Sequence, residues 1–209
     1  MPKGRLFRIA VACVLGLAFA AAIAWWSVEQ EKRAASPMAS MVPAVDIGGS
    51  FSMVDHTGKP VTEADYAGKY KLMFFGYTFC PDICPTELQV VAQALDQLGG
   101  DAAQVQALFV TIDPERDTPA QMAEYVGLFH PAITGLTGTP EQVAAMAKSW
   151  RVYAAKAPGG DPDAYIMDHS TYTYLMAPDG TLVTVFARGT GPEEMVRAVR
   201  QAMKAGAGS

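Results

Sequence analysis

Three cysteines in 209 residues are too few for a disulfide-built scaffold. Histidine is as sparse, also at three. Charged residues make up 18% of the chain and sum to −5, so there is no global basic field to hold nucleic acid. No internal repeat is present. What remains is a chain with 50% hydrophobic residues, enough for one good-sized core.

The N-terminus has its own composition. Lys3, Arg5 and Arg8 precede an uncharged run over residues 9–28. As a helix that run spans about 30 Å, enough to cross a bilayer. Trp25 and Trp26 stand at its far end, as interface aromatics do. Glu29, Glu31, Lys32 and Arg33 then cancel, which leaves the positive excess on the N-terminal side. Residues 1–8 are therefore predicted to stay in the cytoplasm. Residues 9–28 are predicted to be a transmembrane anchor, with the rest exported to a periplasmic-type side. A cleaved signal peptide is the rival reading, since Ala18-Phe19-Ala20 and Ala22-Ile23-Ala24 resemble cleavage sites. The length of the run and its tryptophans favour the anchor. Cys13 lies within it and is read as membrane filler. Residues 29–46 carry charges, Ser, Ala, Met, Pro37 and Pro43 without periodicity and read as a tether. The globular domain is predicted over residues 47–205.

The chemistry centres on Cys80-Pro81-Asp82-Ile83-Cys84-Pro85. An apolar run at 72–75 enters this stretch, and a long helical pattern leaves it. Pro81 and Pro85 do not share one regular helix comfortably, because Pro85 has no N–H for the carbonyl of Pro81. The residue before a proline is also pushed out of the α region. Residues 80–84 are therefore predicted to form a turn, with the helix starting near Pro85, a favoured first position. A kinked helix from Pro81 is the alternative. In both cases the thiols lie near a helix N-terminus, where thiolate is favoured over thiol. Two turn-linked cysteines can reach the Cα separation of about 4.4–6.8 Å that a disulfide needs, or hold a metal between them. Three intervening residues are one more than the thioredoxin motif has.

The rest of the chain supplies a scaffold. Residues 51–54, a turn containing His56, and Pro60-Val61 read as a small hairpin. Buried strands are predicted at 71–77 and 105–112, with a helix at 85–98 between them, ended by Gly99-Gly100. Thr118 caps a helix from Pro119 to about 129, and Thr139 caps another from Pro140 to about 150. Residues 133–136 and 152–156 are strand-like, and 158–163 form a mobile loop rich in Gly, Pro and Asp. His169 follows, then a hairpin of strands 171–176 and 182–187 around Pro178-Asp179-Gly180. A last helix starts at Gly191-Pro192. His56 is read as a loop residue and His130 as a helix C-terminal residue favoured by the dipole. A βαβ half joined to a ββα half makes an α/β, thioredoxin-like sandwich with an N-terminal β-hairpin extension. Its sulfurs sit at the carboxyl end of a central strand, where open α/β sheets place their sites.

Several stretches together resemble the Sco/SenC family. They are Phe75-Gly76-Tyr77-Thr78, the Cys80–Pro85 motif, Asp113-Pro114-Glu115-Arg116-Asp117-Thr118-Pro119 and Asp168-His169-Ser170. The resemblance covers about residues 47–204. It implies a membrane-anchored, thioredoxin-fold copper protein that assists assembly of the copper A centre of cytochrome c oxidase. It further implies that Cys80, Cys84 and His169 bind copper and that the cysteines form a reversible disulfide. Many members carry His just before the first cysteine, where this chain has Phe79.

The residue chemistry is compatible with that implication. Two thiolates and an imidazole suit Cu(I) and also zinc. Structural zinc takes four protein ligands, and only three candidates converge here. A partly open three-donor site fits a metal that is passed on and fits Cu(II) as well as Cu(I). Asp113 and Asp117 are read as organisers of the loop after the second strand, with partner contact as a further role. Asp168 either orients His169 or faces solvent. Two functions follow. One is a metallochaperone serving the oxidase's copper-bearing subunit, with other copper chaperones or thiol-disulfide oxidoreductases as further partners. The other is a thiol-disulfide reductase that keeps that subunit's cysteines reduced. A thiol peroxidase is a weaker third reading, against which the paired prolines and the distant Asp-His pair both count.

Overall fold

The computed structural model describes residues 47–159 and 165–207, together with Gly16 and Phe19. The chain divides into two units, Met1–Val45 and Asp46–Ser209. Of the first, Gly16 and Phe19 are helical. The predicted anchor at 9–28, the tether at 29–46 and Cys13 otherwise lie outside the described residues. Among the described residues no helix is long and apolar enough to cross a membrane.

The second unit opens with the predicted hairpin, β1 (Ser52–Asp55) and β2 (Pro60–Thr62), paired antiparallel. Asp55 organises its turn, accepting from the Thr57 and Lys59 N–H groups at 2.8 and 3.0 Å. Strand β3 (Tyr70–Gly76) is buried along its whole length, as its apolar run requires. It passes through α1 (Ile83–Leu98) to β4 (Val105–Thr111), which lies parallel to it. Then come α2 (Pro119–Gly127), β5 (Ile133–Thr137) and α3 (Pro140–Ser149). Both threonine caps are present: Thr118 and Thr139 hydroxyls accept from Gln121 and Gln142 N–H, each at 3.3 Å.

The chain then departs from the single strand expected at 171–176. A short strand β6 (Ala154–Lys156) pairs antiparallel with β7 (Met167–His169), forming a separate two-stranded ribbon. His169 is thus inside a strand rather than ahead of one, opposite Ala154. After a break come β8 (Thr173–Met176), β9 (Leu182–Phe186) and α4 (Pro192–Gly206). The main sheet has seven strands in the order β2-β1-β5-β4-β3-β8-β9. Its β3-α1-β4 half is parallel, and its β8-β9-α4 half joins antiparallel to β3. This is the thioredoxin-like arrangement, with the hairpin extending the sheet through β1 and β5.

Alternation along β3 sends neighbours to opposite faces. Phe74 stacks on Phe109, which meets Tyr125 of α2. Phe75 meets Trp150, the residue that ends α3, and Tyr174 of β8. Helices α1 and α4 pack against each other. The core therefore clamps β3 from both sides and fixes where Gly76 ends.

Candidate metal centre

The polypeptide beyond β3 turns at once. The N–H of Cys80 donates to the Tyr77 carbonyl at 3.3 Å, and α1 begins at Ile83 with Asp82 as its cap residue. The predicted start near Pro85 is thus two residues late, and Cys84 lies in the first helical turn. Pro85 is tolerated there because the first N–H groups of a helix have no intrahelical carbonyl to reach. The first i to i−4 bond runs from Thr86 N–H to the Asp82 carbonyl at 3.3 Å, just past the proline. Glu87, further along α1, is buried, and its carboxylate accepts from Gly189 N–H at 3.1 Å.

Sulfur replaces oxygen at this helix end. Asp82 makes no side-chain cap; instead Cys80 Sγ accepts the N–H of Cys84 at 3.4 Å. Donation from the Cys84 thiol holds the Cys80 thiol well below its ordinary value. The Cys84 and Asp82 N–H groups add to this, against burial. Cys84 moves the other way, raised by the same bond to Cys80, by burial and by the Cys80 charge. The pair is therefore polarised, with thiolate at Cys80 and thiol at Cys84. Neither forms a disulfide.

Cys84 is fully buried against the end of β3. A Cβ on Gly76 would lie 2.7 Å from its Sγ and 2.9 Å from the Phe109 ring. Only glycine lets the sulfur approach the backbone this closely.

The ribbon delivers the third donor. His169 Nε2 lies 3.7 Å from Cys84 Sγ, although the two residues are 85 apart in sequence. Its Nδ1 lies 2.8 Å from the Ser170 carbonyl oxygen. A carbonyl only accepts, so Nδ1 carries the proton and Nε2 presents its lone pair to the sulfurs. Phe74 and Tyr77 hold the ring edge-on, at centroid distances of 6.4 and 6.0 Å. The donor atoms of Cys80, Cys84 and His169 all lie within 4.8 Å of one another. One ion can span them.

The predicted supporting carboxylates separate into different roles. Asp117 is fully buried and accepts from Thr78 N–H, from the Thr78 hydroxyl at 2.6 Å and from the Thr111 hydroxyl at 2.5 Å. Burial raises its pKa while these donors oppose the shift. It pins the turn just before Cys80. Asp113 takes Arg116 Nε at 2.5 Å and the Tyr165 hydroxyl at 2.6 Å. Asp168 is exposed, and the Ser170 carbonyl rather than its carboxylate holds the His169 ring. The other histidines are engaged elsewhere. His56 Nδ1 accepts from Gly135 N–H at 3.1 Å. His130 Nδ1 accepts from Ala132 N–H at 3.0 Å, with its Nε2 3.5 Å from Asp96.

Sequence reasoning gave no role to Gly76, Tyr77, Arg116 or Tyr165. The Tyr77 hydroxyl accepts from Met167 N–H at 3.2 Å, tying β7 to the end of β3. Gly76, Tyr77 and Arg116 stand in the family-like stretches, but their roles are unreadable there because their partners lie far away in sequence; Tyr165 carries no such mark.

Comparison with known proteins agrees with this architecture. The SCO1/SenC family model matches residues 39–204. The bovine "Protein SCO2 homolog, mitochondrial" (Bos taurus) is 39% identical over 201 residues, covering 95% of this chain and 76% of the relative. Its mouse counterpart (Mus musculus) is 44% identical over 155 residues, covering 73% of this chain. The chain spans only 61% of the mouse protein's length. The structure of Bradyrhizobium japonicum ScoI with copper bound is 46% identical, with a TM-score of 0.70, covering 75% of this chain and 99% of that one. By sequence and by fold, this chain belongs to the SCO1/SenC family.

Proposed function

We propose that this protein is a membrane-anchored copper metallochaperone. It holds one copper ion through Cys80, Cys84 and His169 and supplies it during assembly of the copper A centre of cytochrome c oxidase. In this reading residues 1–8 are cytoplasmic, 9–28 are the anchor, 29–46 the tether, and 47–205 the copper-binding domain on the exported side. The copper-bearing oxidase subunit is the recipient, and other copper chaperones or thiol-disulfide oxidoreductases are upstream partners. The observation that carries the reading is the convergence of three soft or borderline donors within 4.8 Å, drawn from a helix start and a distant ribbon. Thiolate sulfur selects Cu(I), and an imidazole added to it accommodates Cu(II). Three donors, one short of a closed tetrahedral site, leave room for an incoming ligand from the recipient.

A second reading is favoured by the polarised pair. Cys80 is a partly exposed thiolate, and Cys84 is a buried thiol beside it. That is the arrangement of an attacking and a resolving cysteine. Cys80 attacks a partner disulfide to form a mixed disulfide and release one partner thiol. Cys84 then displaces the second, leaving Cys80 and Cys84 oxidised and the partner reduced.

Both readings need both cysteines, and only copper handling needs the imidazole. The test is His169→Ala in cells that lack the native gene. The expected result is failed oxidase assembly with disulfide-reductase activity retained. Normal assembly with His169→Ala would remove the chaperone reading and leave the reductase.

A further inference from the structure

We infer that Arg116 is the positioning residue that holds the imidazole side of the site against the sulfur side. The inference rests on the copper reading for its functional meaning, but its geometry stands apart from it. Arg116 lies in the turn after β4 with only 15% of its side chain exposed. Its Nε is held by Asp113 at 2.5 Å, and Nη1 donates to the Tyr165 carbonyl at 3.0 Å. The guanidinium lies 3.6 Å from the Tyr165 ring centroid, 4.7 Å from that of Phe79 and 5.7 Å from that of Tyr77.

These three aromatics belong to the two halves of the site. Phe79 immediately precedes Cys80. Tyr165 leads into β7, four residues before His169. Tyr77 does both jobs, since its carbonyl accepts from Cys80 N–H while its hydroxyl and ring support Met167 and His169. One flat cation therefore joins the segment that carries the first sulfur to the segment that carries the nitrogen. Asp113 closes the link by accepting from both Arg116 and the Tyr165 hydroxyl. Nη2 is buried with no hydrogen-bond partner among the described residues, in surroundings dominated by ring faces. Such a site suits a planar, weakly hydrated guanidinium and not an ammonium.

The sulfur half has its own support. Asp117 pins the turn before Cys80 through Thr78 and Thr111, and Gly76 seats Cys84. The ribbon lies outside the seven-stranded sheet; Ala154 and Met167 rest against the core and Met167 N–H reaches the Tyr77 hydroxyl, while the segment at Tyr165 that leads into β7 is held through Arg116. Loss of Arg116 should therefore release the imidazole and spare the sulfurs.

The test uses the full chain with Arg116→Met, Arg116→Lys and Tyr165→Leu. In metal-free protein, NMR contacts between the His169 ring and the Phe74 and Tyr77 rings are measured. In copper-loaded protein, nitrogen hyperfine coupling to Cu(II) and Cu(I) stoichiometry are measured. The expected result is loss of the ring contacts and of the nitrogen coupling in all three variants. Cu(II) affinity should fall roughly tenfold or more, as for other supports of metal-bound histidines, at unchanged Cu(I) stoichiometry. Arg116→Lys should be no better than Arg116→Met. Should Arg116→Met fail to fold, the other two variants carry the comparison. Retained ring contacts with only a lower melting temperature would overturn the inference, as would full rescue by lysine. If the ring contacts respond as expected while the wild type shows no copper-bound nitrogen, the copper reading falls and the positioning role stands.

Discussion

The two halves of the site are built from different materials. The sulfurs sit where a fully buried central strand meets a sixteen-residue helix, with Cys84 sealed against Gly76 and Phe109. The nitrogen sits on a three-residue strand in a two-stranded ribbon outside the main sheet. The imidazole is held by one carbonyl, two ring edges and the Arg116–Tyr165 link, on a ribbon tied to β3 through the Tyr77 hydroxyl. Full burial fixes the first half, whereas Ala154 and Met167 of the ribbon rest only partly buried against the core. A donor held this way can leave the metal without unfolding the domain. In the proposed copper reading this difference becomes a division of labour: the sulfur pair sets whether copper is held, and the imidazole sets which oxidation state is held.

The largest effect should come from breaking the sulfur half. Cys84→Ser is expected to abolish stoichiometric Cu(I) binding, which needs both sulfurs, and turnover in disulfide reduction, since Cys80 can still form a mixed disulfide but nothing resolves it. Metal analysis and a reductase assay on the same sample check this, and stoichiometric Cu(I) binding by the variant would contradict it. Next is Gly76→Ala, which forces a methyl to within 3 Å of Cys84 Sγ and the Phe109 ring. Overpacking of this kind costs about 1–3 kcal/mol. Thermal unfolding should therefore occur at lower temperature, and copper binding should weaken although no donor is removed. An unchanged melting temperature and affinity would mean that the sulfur is not confined by the strand.

A smaller, kinetic effect sharpens the contrast within the pair. Cys80 is held below the ordinary thiol value, so its thiolate persists as pH falls. An ordinary thiol loses on the order of a hundredfold in thiolate between pH 8 and pH 6. Alkylation of Cys80 should change far less over that range, with Cys84 modified only after unfolding. A rate that tracks an ordinary thiol would refute the polarised pair. The smallest effect belongs to Asp168→Asn. Its carboxylate is exposed and the Ser170 carbonyl holds the ring, so copper affinity should stay within about threefold, well short of what loss of a direct support costs. A tenfold loss measured by competition titration would assign Asp168 to the ring after all.

How much could be read from the sequence follows from how local each determinant is. Thr118-Pro119 and Thr139-Pro140 start helices in almost any surroundings, and the structure starts them there. The apolar strand entering the cysteine motif and the strand-helix-strand order were equally plain, because burial on both faces leaves a continuous signature. The start of α1 was misplaced because Pro85 obstructs a helix interior but not a first turn. Strand β7 was missed for a different reason. Asp168-His169-Ser170 carries little strand propensity of its own, and only pairing with Ala154–Lys156 makes Met167–His169 a strand. Tyr165 was silent in the same way, and Arg116 stood in a family-like stretch without a readable role, since the two meet across 49 positions.

The central claim is that two fixed sulfurs and one separately held nitrogen share one copper ion. X-ray absorption of the Cu(I)-loaded wild type and of Cu(I)-loaded His169→Ala tests it most directly. The account predicts two sulfurs and one nitrogen in the wild type, and the same two sulfurs without that nitrogen in the variant. Identical first shells in the two proteins, or fewer than two sulfurs in the wild type, would contradict it.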